Sequence, residues 1–331
     1  MMLMSEDPYD LVVVGGGPVG LYAGLRSALL FLRVKVVDKG RKWSRGFYVP
    51  MYHNIPTNVE GMTGRDVINQ LRKSIAQHMD YASIDDSVTI ETITRDSDLF
   101  VLKGTHQPTK GERTYISRVV VLATGVVDKQ PIIGGELKTV FPYANSQLLC
   151  YCVLCDGFLA NGKDVAVIGN GKIAVLTALD LIHFKAKKVT ILTHGTELFD
   201  NGDELKETEG LKRQLSTAGV DVVTEEIKSL LGVEENLFGV RLADGGEMIF
   251  GIAFSAMGFY KKNNDLAIML RGEVDETGDI IIDGNCRVLD KGDNPIPGLY
   301  AVGDITQNWK QLMIGFGDAD RAIIHAWANY L

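Results

Sequence analysis

The sequence predicts an α/β protein with parallel sheets, and three observations predict it. Two glycine-rich turns, at 15–20 and 169–174, each lie between a strand-sized apolar run and a helix-sized one. Each is followed by a further apolar run, so the order strand, turn, helix, strand occurs twice, which means two dinucleotide-binding (Rossmann-like) units in one chain. The composition agrees: 46% hydrophobic residues, 36 glycines and only 9 prolines in 331 residues describe a folded chain of about two domains.

The elements follow in order. "YDLVVVGGGPVGLYAGLRSALLFLRVKVVDKG" predicts a strand at Leu11–Val14, a tight turn, an apolar helix and a strand at Val34–Val37 that ends in Asp38. Gly15 makes the turn, Gly17 admits a pyrophosphate, Gly20 allows close helix–strand packing, and Asp38 stands about 20 residues on, where an acid accepts from ribose hydroxyls. "RVVVLATGVVDKQPIIGGE" predicts a short strand ending in Ala123, Thr124 and Gly125, then a linker. "YCVLCDGF", at 151–158, holds two of the chain's 4 cysteines at CxxC spacing, too few for a disulfide scaffold. No second CxxC and no His pair at ligand spacing accompanies it, so a metal site is not expected. In such a pair at a helix start, the thiol favoured by the helix N-terminus attacks a partner disulfide and the other resolves. Cys150 and Cys286 are expected to be buried. The second fingerprint, Gly169, Gly171 and Ala174, sits between strands at Val165–Ile168 and Val189–Leu192. Near the end, "GLYAVGD" runs a strand into Gly303 and Asp304 before a glycine-rich helix start.

Other classes are excluded by the same inspection. The longest apolar runs are strand-sized, which argues against a membrane span, and "MMLMSEDPYD" lacks the features of a secretion signal, so the expected location is cytoplasmic. A formal net charge of −8 argues against nucleic acid as a partner.

Taken together, the GGGPVG turn, the ATG strand end, the CxxCDG box and the terminal "GLYAVGD…KQ…GFGDA" resemble the low-molecular-weight thioredoxin reductases from about residue 8 to the C-terminus. The resemblance implies two Rossmann-like, three-layer ββα domains, the second inserted in the first. The FAD-binding domain would comprise 1–128 and 259–331, and 129–258 would carry the dithiol. It also implies a homodimer, with thioredoxin as the disulfide partner and a rotation of the inserted domain between flavin and thioredoxin. Cys152 would be the interchange thiol, Cys155 would face the flavin, and Asp156 would shuttle the proton. Gly15, Gly17, Pro18, Gly20, Asp38, Lys39, Asn54, Ala123, Thr124, Gly125, Gly303, Asp304, Lys310 and Gln311 would hold FAD. Lys310 replaces the family's Arg, and Ile55, after Asn54, replaces its Trp. Trp43, Tyr48, Tyr52, Trp327 and Tyr330 either cover the flavin or simply pack.

The inserted domain departs from the family where NADPH would bind. A His-Arg-Arg stretch past the second strand is replaced by Thr193, His194 and Gly195, and no Arg appears until Arg213. A 2′-phosphate has no cationic fork there, and NADH has no acid for its ribose diol. Lys172, Ile173 and Ala174 stand where the family has Asn-Ser-Ala. The expectation is therefore a reductase resembling the ferredoxin-dependent flavin thioredoxin reductases and the deeply rooted cyanobacterial enzymes, probed at the basic clusters 39–45 and 185–188 for acidic ferredoxin. The rivals are an NADPH enzyme with an altered site, a dithiol oxidase using oxygen, and a flavin-binding redox sensor without catalysis.

Overall fold

The computed structural model describes residues 7–56, 58, 60–199 and 205–331. The start of the segment read as lacking a secretion signal lies outside them, as do Asp200 and Asn201 in the segment "THGTELFDN" that begins with Thr193. Along the chain come β1 (Tyr9–Val14), α1 (Pro18–Ala28), β2 (Val34–Asp38), α2 (Gly64–Ala76), β3 (Ala82–Asp86), β4 (Val88–Asp96), β5 (Leu99–His106), β6 (Gly111–Leu122) and β7 (Val126–Asp128). There follow α3 (Phe141–Asn145), β8 (Leu149–Cys150), α4 (Val153–Asp156), β9 (Asp164–Ile168), α5 (Gly171–His183), β10 (Lys188–Leu192), α6 (Leu205–Ala218), β11 (Asp221–Val223), β12 (Ile227–Leu231), β13 (Phe238–Leu242), β14 (Glu247–Phe250) and β15 (Ile252–Ser255). The chain ends with β16 (Phe259–Lys262), α7 (Asp265–Met269), β17 (Arg287–Leu289), β18 (Pro295–Ala301) and α8 (Leu312–Tyr330).

The described residues form two compact units. The first holds residues up to Met51, Ile55–Val127 and Lys261–Leu331; the second holds Tyr52–Asn54 and Asp128–Tyr260. The chain leaves the first along β7 and returns along β16, and these two strands pair.

In the first unit β18, β6, β1, β2 and β3 lie side by side and parallel. Leu11, Val12 and Val13 on β1 and Val119, Val120 and Val121 on β6 are fully buried, as expected of strands covered on both faces. β6 is long enough for its first half to pair antiparallel with β5, which pairs with β4, a branch of the same eight-stranded sheet. α1 approaches the sheet closely because Gly24 has no Cβ; one would lie 2.4 Å from Val36 Cγ2. α2 starts at Thr63, whose hydroxyl accepts from the Asp66 N–H at 3.1 Å, and turns Val67, Ile68 and Ile75 inward.

The second unit has its own parallel sheet, ordered β11, β10, β9, β15, β8, and a separate antiparallel meander β12–β13–β14. Alternate strand residues serve two cores. Val165, Val167 and Phe254 meet α5, whereas Ala166, Ile168 and Ala253 meet the meander with Phe238 and Val240.

Candidate active site

In the first unit, the C-terminal strand ends gather the turn 15–20 after β1, Asp38 closing β2, residues 123–125 after β6, and Gly303 and Asp304 after β18. This edge is where doubly wound sheets bind ligands. Gly15 has φ 114°, and a Cβ there would meet the Ala123 carbonyl oxygen at 2.3 Å. A Cβ on Gly20 would lie 1.9 Å from the Gly15 carbonyl oxygen. The turn therefore closes backbone on backbone. Gly17 caps α1, and Pro18 takes the first helical position, where no N–H is needed.

Asp38 lies under this turn, 5% exposed. Its Oδ1 accepts from the Gly16 N–H at 3.0 Å, and its Oδ2 is buried without a hydrogen-bond partner. Burial pushes its carboxyl above the usual carboxylate range, against the pull of the Gly16 N–H and the Arg72 guanidinium. A buried acceptor without a hydrogen bond, beside a turn stripped of side chains, fits the adenosine ribose of a dinucleotide such as FAD.

Other predicted residues are held by partners within this unit. The Thr124 hydroxyl donates to the Asn263 carbonyl at 2.6 Å, and Asn263 Nδ2 donates back to the carbonyls of Thr124 and Gly125, each at 3.0 Å. Asp304 Oδ2 pairs with Arg45 Nη1 at 2.9 Å. Lys310 Nζ lies 2.9 Å from Asp279 Oδ2 and also donates to the Thr306 carbonyl, and Gln311 caps α8. The basic stretch 39–45 is engaged too: Lys39 lies 4.0 Å from the Trp43 ring centroid, and Arg41 bonds Asn69 Oδ1 at 3.0 Å. Asn54 groups with the second unit, where neighbouring His53 Nε2 lies 3.2 Å from Gln147 Nε2 and its ring stands edge-on to Phe158. Arg72, Asp86 and Asn263 carried no motif, and Arg45 read only as part of the basic stretch 39–45; only the chain fold brings them to this edge.

The second unit carries the dithiol. Cys152 and Cys155 are disulfide-bonded, with Cα atoms 5.2 Å apart. Cys152 is the cap of α4: its sulfur accepts from the Cys155 N–H at 3.1 Å and its carbonyl from the Asp156 N–H at 3.0 Å. Leu154 and Phe158 are about half exposed on the same short segment, 52% and 48%, so the disulfide sits among apolar side chains open to solvent. Cys150, two residues before, is buried, and burial first, then the Asp156 charge, pushes its thiol far above the ordinary range. Such a thiol is inert.

The second fingerprint is built differently from the first. Gly171 is the first residue of α5 at φ 64°, and its N–H donates to the Leu198 carbonyl at 2.6 Å. That donor, at the N-terminus of a fingerprint helix, is where a ligand phosphate would be received. The strand-end residues are turned inward as well. Thr193 is buried, its hydroxyl donates to the Thr196 carbonyl, and the Thr196 hydroxyl donates to the Thr193 carbonyl at 2.8 Å. His194 Nδ1 accepts from the Ile227 N–H at 2.9 Å, and its Nε2 lies 3.0 Å from the Ile132 carbonyl, so both ring nitrogens clip segments of the unit together. Leu198 and Phe199 pack against the α5 core. The basic stretch 185–188 is partly paired, Lys187 with Asp164 at 3.5 Å and Lys188 with Asp221 at 2.7 Å.

His194→Ala leaves the Ile227 N–H and Ile132 carbonyl without this partner. Chemical denaturation should show the second unit about 1–3 kcal/mol less stable, with the flavin of the first unit retained. Unchanged stability would mean the clip contributes nothing.

Among the described residues no cluster of three or more His, Cys, Asp or Glu is arranged for a metal, and no helix is long and apolar enough to cross a membrane.

A family model described as pyridine nucleotide-disulphide oxidoreductase matches residues 9–319. Among curated proteins, a subunit of alkyl hydroperoxide reductase in Staphylococcus aureus strain Mu50 is 29% identical over 330 residues, covering 98% of this chain and 59% of that protein. Its namesake in Pseudomonas putida is 29% identical over 340 residues, with coverages of 99% and 59%. The chain thus spans about three fifths of the length of these relatives. Thioredoxin reductase from Streptococcus pyogenes MGAS5005 superposes with a TM-score of 0.81 at 22% identity, covering 98% of each chain. The Giardia duodenalis enzyme gives 0.76 at 20%, covering 98% of this chain and 99% of that one. At such identities the structures speak for the fold.

Proposed function

The chain belongs to the pyridine nucleotide-disulphide oxidoreductase family, and from that membership we propose that it passes electrons from FAD through the Cys152–Cys155 disulfide to a thioredoxin-type protein, drawing them from a donor other than NADPH. It is an FAD-binding disulfide oxidoreductase of the thioredoxin reductase type. FAD supplies the electron pair that opens the disulfide. Gly15, Gly17, Pro18 and Gly20 would hold its pyrophosphate, and Asp38 its ribose. The opened pair then works in sequence. The Cys152 thiolate attacks the partner's disulfide and forms a mixed disulfide, and the Cys155 thiolate attacks Cys152 to free the partner as a dithiol. Asp156 is the carboxyl placed to move the accompanying proton. Leu154 and Phe158 give the partner an apolar collar around the reacting sulfur.

The observation that carries the donor reading is the Leu198 carbonyl on the Gly171 N–H. The donor aimed at a phosphate already has an acceptor, and the only basic side chain in the Thr193–Gly195 position, His194, is bonded at both nitrogens. A nicotinamide dinucleotide thus meets an occupied donor where its pyrophosphate would rest, and a 2′-phosphate meets no free cation at 193–195. A one-electron carrier of the ferredoxin kind is the donor this reading favours. Its docking site is not assigned to 39–45, because Lys39, Arg41 and Arg45 are each engaged within the unit. By resemblance the protein acts as a cytoplasmic homodimer. The curated relatives' activity on other partners is not carried over, since the chain spans only 59% of their length.

Anaerobic mixing of the yellow protein with NADPH, NADH or reduced ferredoxin tests the donor. Flavin bleaching by ferredoxin within seconds, with NADPH no faster than a blank, is the expected result; rapid bleaching by NADPH would restore the ordinary nucleotide-dependent reading. Oxygen uptake driven by small dithiols would instead favour a dithiol oxidase.

A further inference from the structure

Asp38 and Asp86 are neighbours across the parallel pair β2–β3, Cα opposite Cα. Two carboxylates so placed repel, and the one that is buried has most to gain from taking up a proton. One cation faces both. Arg72, on α2 and nine-tenths buried, turns Nη1 and Nη2 onto the Asp86 carboxylate, Nη1 at 2.8 Å, and its Nη2 stands 3.6 Å from Asp38 Oδ2. Two polar atoms in this group, Asp38 Oδ2 and Arg72 Nε, are buried without hydrogen-bond partners. The remaining groups around Asp38 are backbone, Gly16 from the β1–α1 turn and Gly40. Asp85 is engaged by the Tyr115 hydroxyl of β6 at 2.6 Å, and the Lys39 ammonium lies over the Trp43 ring.

We propose that Arg72 is the positioning residue that keeps Asp38 ionised beside Asp86, so that Asp38 Oδ2 remains a hydrogen-bond acceptor for the adenosine ribose of FAD. The proposal rests on the reading that FAD fills the first unit, and it adds a charge balance that the glycine fingerprint does not contain. A protonated Asp38 would direct its own proton at the ribose hydroxyl, which has one to donate. The sign follows from burial. The Asp38 carboxyl already titrates above its ordinary range, so FAD affinity is full above that titration and falls as pH drops through it. Removing the Arg72 charge raises the titration further and brings the fall toward neutral pH. Removing the Asp86 charge lowers it.

The test titrates the flavin-stripped full chain with FAD, and separately with ADP, across acid to alkaline pH, and records the thermal unfolding of each stripped variant. Arg72→Met should bind both ligands roughly 10–100-fold more weakly at neutral pH, the size expected when a buried polar group loses its partner. Affinity should recover as pH rises, and adding Asp86→Asn should restore most of it at neutral pH. Asp86→Asn alone, which needs no folded Arg72 variant, should move the acid fall in affinity to lower pH. An Arg72→Met protein with wild-type affinity at every pH, or a pH-independent loss that Asp86→Asn does not relieve, overturns the proposal; so does an unmoved profile in Asp86→Asn. Wild-type chain that binds neither FAD nor ADP would remove the underlying flavin reading instead.

Discussion

Alanine at position 20 is expected to leave a colourless protein. The added methyl would sit 1.9 Å from the Gly15 carbonyl oxygen and 3.0 Å from Ala123 Cβ. Neither is the end of a flexible side chain, so α1 must move off the turn or the turn must open. Overpacking of this kind costs about 1–3 kcal/mol and often more where backbone is the obstacle. The cost falls on the place where a pyrophosphate would rest, so the expected result is FAD affinity lower by roughly a hundredfold together with a lower unfolding midpoint. The second fingerprint gives the control. Gly171→Ala meets no atom within 4 Å, and its φ of 64° penalises a side chain by about 1–2 kcal/mol. That variant should stay yellow. A yellow Gly20→Ala protein with wild-type affinity would show that the first turn does not hold the cofactor.

Serine at either redox position is expected to abolish disulfide turnover, by at least about a thousandfold, because one sulfur cannot both attack and resolve. The two variants should differ in what they trap. Cys155→Ser retains the sulfur that caps α4 and should accumulate a mixed disulfide with oxidised thioredoxin, visible as a shifted band on a non-reducing gel and lost on adding dithiothreitol. Cys152→Ser keeps only the sulfur inside the helix and should trap nothing. The reverse pattern would exchange the roles of the two cysteines while leaving the pair catalytic. Cys150→Ala should leave turnover unchanged, since that thiol is buried and held in its protonated form.

What could be read from the sequence was whatever is local. The first fingerprint declares itself because turn, helix start and strand end lie within thirty residues, and each glycine has a steric reason that the structure makes explicit: Ala123 against Gly15, Gly15 against Gly20. The CxxC pair is equally local. What could not be read depends on chain closure. Arg72 reaches Asp38 from a helix 34 residues on, with no pattern to mark it, and Asp304 meets Arg45 across 259 positions. The stretch 39–45 reads as open basic surface because sequence shows charge and not its partners. In the structure Arg45 belongs to Asp304 and Arg41 to Asn69. At 193–195 the missing arginines are visible in the sequence, whereas the carbonyl of Leu198 seated on Gly171 is not. Any residue can present a backbone oxygen, so no residue type announces it.

That carbonyl bears on attempts to re-engineer the protein toward a nicotinamide cofactor. Installing arginines at 193–195 would offer charge to a 2′-phosphate alone, while the pyrophosphate of the same cofactor would still compete at Gly171 with an acceptor held in place by covalent connection. Conversion would call for replacing the stretch 193–199 after β10, with its histidine fastener, before any new charge had something to grip.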